Sequence, residues 1–132
     1  MFRNFFAKRR PLTGAPAARR VKTYSAQSGF SYEYWYEGRR PYRSHWEGGA
    51  EFVFSVSIAP GKHIPVSVLL ADAVVTAWEQ SHARQFSSTE LYAIAKMALF
   101  QAFDERLRPE LMKAPIHVRP ADVEAISETL GF

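Results

Sequence analysis

The chain has 132 residues, 47% of them hydrophobic and 23% charged, with a net charge of +4 and no cysteine. One domain around one core fits that length, the apolar fraction is too high for a chain disordered throughout, and the missing thiols remove disulfides, thiolate zinc sites and cysteine nucleophiles together. No apolar run approaches the roughly 20 residues that a membrane helix needs.

The charge is unevenly placed. Residues 1–46 hold ten Lys or Arg against Glu33 and Glu37, a local balance of +8, while residues 47–132 hold seven basic and eleven acidic residues, or −4. A locally basic segment attracts polyanions whatever the charge of the rest. The opening, Met1 to Arg10, is basic, aromatic and free of acid. That composition suits an organellar transit peptide, a solubilising tail or an arm that orders on a partner, and it lacks the apolar run of a secretory signal. Phe2, Phe5 and Phe6 beside Arg3 and Lys8 form only a short interfacial anchor before Pro11, so no membrane association is expected.

Pro11, Gly14 and Pro16 among alanines break any helix, and residues 1–20 read as a basic flexible tail ahead of a single domain over 21–132. Between Phe30 and Glu37 the pattern alternates strictly, with Phe30, Tyr32, Tyr34 and Tyr36 on one side and Ser31, Glu33, Trp35 and Glu37 on the other. Period two with aromatic residues predicts a strand. Gly38 and Pro41 predict a turn, with Tyr42 to Trp46 returning as a partner strand and Gly48-Gly49 as a second break. Phe52, Phe54, Val56 and Ile58 share one face of the next strand, Pro60-Gly61-Lys62 punctuates it, and Ile64 to Leu70 resumes the alternation as a hairpin.

Asp72 is the expected N-cap of a short helix through about Ala83, and Ser87-Ser-Thr-Glu90 has the form of a capping box opening a second helix at Ser88. The apolar face from Leu91 to Leu107 is wide enough to make that helix the centre of the core, and the charges from Asp104 followed by Pro109 close it. Pro115 to Pro120 brackets a short edge strand, and Pro120 opens a last helix carrying Val123, Ile126 and Leu130 on one face. The fold class is therefore α+β: an antiparallel sheet of three to five strands with two or three helices packed on one face.

Catalytic signatures are sparse. Glu79 and His82 have the E-x-x-H spacing of carboxylate-bridged metal sites, without the second copy and the further glutamates such sites need. No serine lies in a nucleophile elbow and no glycine-rich phosphate loop is present, so neither a cofactor nor a metal is expected. Strand pairing could assemble distant residues such as Glu33, Glu51 and His63, and a small enzyme with a site between sheet and helices is the contrasting reading.

Aromatic and basic residues do concentrate together. Tyr32, Tyr34 and Tyr36 precede Arg39, Arg40 and Arg43, and the doublets Arg9-Arg10 and Arg19-Arg20 lie in the tail. Aromatic faces stack on bases, and guanidinium groups pair with phosphates. These ten residues are the expected binding surface of a non-enzymatic cytoplasmic module that docks an anionic macromolecule, RNA or DNA first and an acidic protein surface second. Such a module would work as a homo-oligomer or as a subunit of a larger complex. A structural subunit that makes only protein contacts is the alternative, because arginine and aromatics equally describe a protein interface.

Overall fold

The computed structural model describes residues 9–132. The readings placed on Phe2, Arg3, Phe5, Phe6 and Lys8 lie outside the described residues. Five strands, β1 (Lys22–Ser25), β2 (Ser31–Arg43), β3 (Gly48–Ala59), β4 (Lys62–Ala71) and β5 (Ile116–His117), join three helices, α1 (Asp72–His82), α2 (Ser88–Glu105) and α3 (Pro120–Leu130), with a 3-10 turn at Pro109–Lys113. The strands lie side by side in chain order. The architecture is α+β.

The sheet is mixed, not antiparallel throughout as expected. β1 to β4 form an antiparallel meander, but β5 runs parallel to β4, with Val68 opposite Ile116 and Leu69 opposite His117. Between β4 and β5 the chain crosses over through α1 and α2, the kind of long connection a parallel pair requires. The short strand between Pro115 and Pro120 is where the prolines put it; its direction depends on the crossover and is not written locally.

The first hairpin also differs from expectation. β2 does not turn at Gly38–Pro41 but continues to Arg43, because the register shifts between Tyr36, opposite Phe54, and Gly38, opposite Val53. Glu37 is the extra residue of a β-bulge. Gly38 accommodates it with φ +119°, and a Cβ there would sit 2.8 Å from the Thr13 carbonyl oxygen. The turn falls later, where the Ser44 amide donates to the Glu47 carbonyl at 2.7 Å. Trp46 at that tip is 92% exposed. Gly48 and Gly49 begin β3 instead of breaking the chain: at Gly49 a Cβ would lie 2.3 Å from the Leu70 carbonyl oxygen, so only glycine allows β3 and β4 to approach there.

Alternate residues of the strands enter one core. Tyr32, Tyr34, Phe52, Phe54, Val56, Val66, Val68 and Leu70 join Ile94, Leu99 and Phe103 of α2, Trp78 of α1 and Val123 and Ile126 of α3 in a single buried cluster. The capping box forms as the sequence predicts, with Ser87 Oγ accepting from the Glu90 amide and the Glu90 carboxylate accepting from the Ser87 amide. At α1 the N-cap is Ala71, without a side-chain bond, and Asp72 is the first helical residue. Its charge there favours the positive end of the helix dipole. Asp104 does not simply face solvent at the end of α2: its carboxylate accepts from the Tyr24 hydroxyl and the Gln27 amide, each at 2.9 Å, fastening the β1–β2 connection to the helix.

Candidate anion-binding cleft

Successive side chains of a strand point to opposite faces, and the bulge decides which face each arginine of β2 receives. Without it, Arg39 would fall on the side of Trp35. With Glu37 inserted, Arg39 lies opposite Phe52 and joins the face of Tyr34 and Tyr36, while Arg40 lies opposite Glu51 on the other face. The Arg39 guanidinium is 6.0 Å from the centre of the Phe52 ring. Arg40 Nε donates to Glu51 Oε1 at 2.9 Å, and the two side chains are only 14% and 11% exposed.

Residues 9–20 run as a strap along the edge of β2. Thr13 and Arg39 exchange two backbone bonds, 2.9 Å from the Thr13 amide to the Arg39 carbonyl and 2.8 Å in return. Arg19 and Arg20 divide as Arg39 and Arg40 do. Arg19 lies over the Trp35 ring at 4.2 Å, whereas Arg20 joins Tyr34, Tyr36 and Arg39 in a cleft.

This cleft has a volume of about 450 Å³ and opens between the strap and α2. Gly14, Pro16, Arg20 and Lys22 line it from the strap and the start of β1, Tyr34, Tyr36 and Arg39 from β2, and Ser88, Thr89, Tyr92 and Lys96 from α2. Four cations therefore share one concavity with three tyrosines and no carboxylate. None of the four forms an ion pair among the described residues. Nor does any hydrogen bond within the described residues engage the Tyr34, Tyr36 or Tyr92 hydroxyls, although Tyr34 is only 5% exposed.

The electrostatics follow from this crowding. Burial raises the Tyr36 hydroxyl to about 12, the nearby Arg39 charge opposing the rise and Tyr92 adding to it. Tyr34 and Tyr92 are likewise pushed up by burial, so all three remain neutral donors near pH 7. Burial lowers the Lys96 ammonium, and the charge of Lys22 lowers it further. The charge of an anion entering the cleft opposes both effects by favouring the ammonium form.

The other expected binding residues are distributed differently. Tyr32 and Tyr34 do not offer a stacking platform: Tyr32 is 1% exposed and stacked on Phe103 at 4.2 Å, because its side of β2 is the one that α2 covers. Tyr36 is half-buried and packs its ring on Tyr92, with 4.7 Å between centroids. Arg40 is not available to a partner, since Glu51 holds it and also accepts from the Ser67 hydroxyl at 2.5 Å. Burial alone would raise the Glu51 carboxyl, but its bonds from Arg40 and Ser67, with the charges of Arg40 and Arg9, hold it below its ordinary range. Arg9, Arg10 and Arg43 are exposed along a second groove of about 800 Å³ that also contains Glu51 and Asp72.

Lys22, Tyr92 and Lys96 were not among the expected residues. Lys96 had a usable signal, being the sole charge between Leu91 and Phe103 in a helix otherwise apolar over that span. The candidate catalytic groups separate. Glu33 meets His63 at 3.1 Å on the outer face, while Glu51 is taken up by Arg40, so the distant trio does not assemble. The Glu79 carboxylate accepts from the Phe86 amide at 2.8 Å, and His82 faces Glu124 at 2.5 Å. Among the described residues no helix is long and apolar enough to cross a membrane. No family model, curated protein or solved structure matches the chain, and the functional reading rests on the chemistry of the cleft.

Proposed function

We propose that this chain is a non-enzymatic binding module that captures an anionic macromolecule at the cleft between strap and α2, nucleic acid first and an acidic protein surface second. The observation that carries the reading is the meeting of Arg20, Lys22, Arg39 and Lys96 with no carboxylate in the lining, beside three tyrosines whose hydroxyls have no hydrogen-bond partner among the described residues. Four uncompensated cations in a partly desolvated concavity raise the local concentration of anions and speed their association. Phosphate is favoured over carboxylate because it offers more acceptor oxygens, matching the arginine forks and hydroxyl donors together.

In this reading the helices cover one face of the sheet and leave the β2 edge, with its strap, to the partner. Arg9, Arg10 and Arg43 line the separate groove beside Arg40 and Glu51 as a secondary contact, and the setting is the cytoplasm, within a larger assembly. The test is equilibrium binding of single-stranded RNA and DNA oligonucleotides, and of an acidic peptide, across a salt series. Each phosphate contact contributes about 0.7 to the slope of log K against log salt for single strands, so replacing both Arg20 and Arg39 by Ala should lower that slope by about 1.4. An unchanged slope removes the cleft from the binding surface, and tighter capture of the peptide than of either oligonucleotide reverses the order of partners.

A further inference from the structure

We infer that the cleft receives a terminal phosphomonoester, the phosphorylated end of a strand or of a free nucleotide, in preference to a phosphodiester backbone running past it. This rests on the reading of the cleft as an anion site and narrows its ligand.

The first reason is charge. A volume of about 450 Å³ lies in the range of small-ligand sites. A passing diester brings one negative charge per nucleotide, which leaves most of the four cations uncompensated. A monoester carries about −1.5 to −2 at neutral pH on three acceptor oxygens. With an adjoining diester, it comes close to matching the cleft.

The second reason is the supply of donors. The first amides of a helix have no intrahelical partner. In α2 the capping box uses those of Ser87 and Glu90, leaving Ser88 and Thr89, and both residues line the cleft. Tyr34, a residue only 5% exposed, lines the cleft with a hydroxyl that has no hydrogen-bond partner among the described residues. Lys96 sits two turns further along the same helix, with its ammonium disfavoured by burial until an anion arrives. Together these supply more donors than the two free oxygens of a diester accept.

The third reason is shape. Backbone bonds lock the strap to β2 at Thr13 and Arg39, and Gly38 admits the strap at a separation no side chain would allow. The strap is therefore a fixed wall of the cleft, lined there by Gly14 and Pro16, and a strand terminus can meet that wall without having to pass it.

The test compares full-length protein binding to one oligonucleotide sequence prepared with a 5′-phosphate, a 3′-phosphate or hydroxyls at both ends, with a nucleoside monophosphate and inorganic phosphate as further ligands. One phosphorylated end should bind at least about tenfold tighter than the hydroxyl strand, and Lys96→Gln or Arg20→Ala should abolish that preference. Arg20 is exposed, so its variant reports on the site even where the Lys96 variant fails to fold. A monophosphate as tight as the phosphorylated strand supports the inference and identifies free nucleotide as the source. Equal, salt-dependent binding of all three strands overturns the inference and leaves the docking reading standing. No salt-dependent binding of any strand overturns both.

Discussion

Arg39 and Arg40 are adjacent in sequence, and the structure uses them in opposite ways. Arg40 faces a buried carboxylate of its own chain; Arg39 faces a cleft that holds no acid. Arg19 and Arg20 divide similarly, one resting on Trp35 and the other joining the cleft. The charge of a segment therefore measures binding capacity poorly. What separates the two in each doublet is an internal partner, a carboxylate for Arg40 and an aromatic ring for Arg19, and that changes from one residue to the next.

The largest effect should come from the structural side. Replacing Glu51 by Ala strands Arg40 where it is 14% exposed, and should cost about 3 to 5 kcal/mol in urea unfolding while the refolded protein keeps its affinity for oligonucleotides. A variant as stable as the parent would erase the distinction between the two arginines. The same pair has a pH signature. Glu51 titrates below its ordinary value of 4.5 in the folded state, so its contribution is complete above that value and declines as pH falls through the lowered folded pKa. Glu51→Gln should flatten that acid limb of the stability curve.

Gly38→Ala tests whether the strap shapes the cleft. Its φ of +119° and the 2.8 Å approach to Thr13 predict a loss of about 1 to 3 kcal/mol, faster proteolysis between residues 9 and 20, and weaker anion binding. Undiminished binding by a protein with a cleaved strap would confine the site to α2 and β2. Arg39→Ala should move stability by no more than about 0.5 kcal/mol and lower the salt slope by about 0.7, the reverse of Glu51→Ala.

The smallest effect concerns Lys96. Its folded pKa is below 10.5, and a bound anion raises it, so affinity should fall as pH rises through the pKa of the free protein. Lys96→Arg should hold affinity level across that interval. If the parent is equally level, Lys96 stands outside the anion's reach.

Much of the fold was legible because its signals are local. The Ser87–Glu90 capping box, the hairpin around Gly61 and the proline-opened α3 each depend on residues within a few positions of one another. The alternation Tyr32, Tyr34, Tyr36 was readable too, but not which side would be covered, since Trp35 supplies an aromatic to the opposite face. The bulge at Glu37 has no comparable signature: Gly38 and Pro41 also describe a turn, and only pairing with β3 decides between them. Misreading it placed Arg39 and Arg40 together at a turn and concealed the cleft. Lys96 escaped for a related reason, because its neighbours come from the strap and β1, more than seventy residues earlier in the chain.

The pairing of β5 with β4 has a kinetic consequence. Ile116 meets Val68 across nearly fifty residues, and Val123 and Ile126 complete the buried cluster from later still. Contacts of such sequence separation carry a high loop-closure cost and slow the search for the native state. During synthesis the meander and α2 emerge first, but the part of the apolar surface that Ile116, Val123 and Ile126 complete stays open until β5 and α3 have left the ribosome.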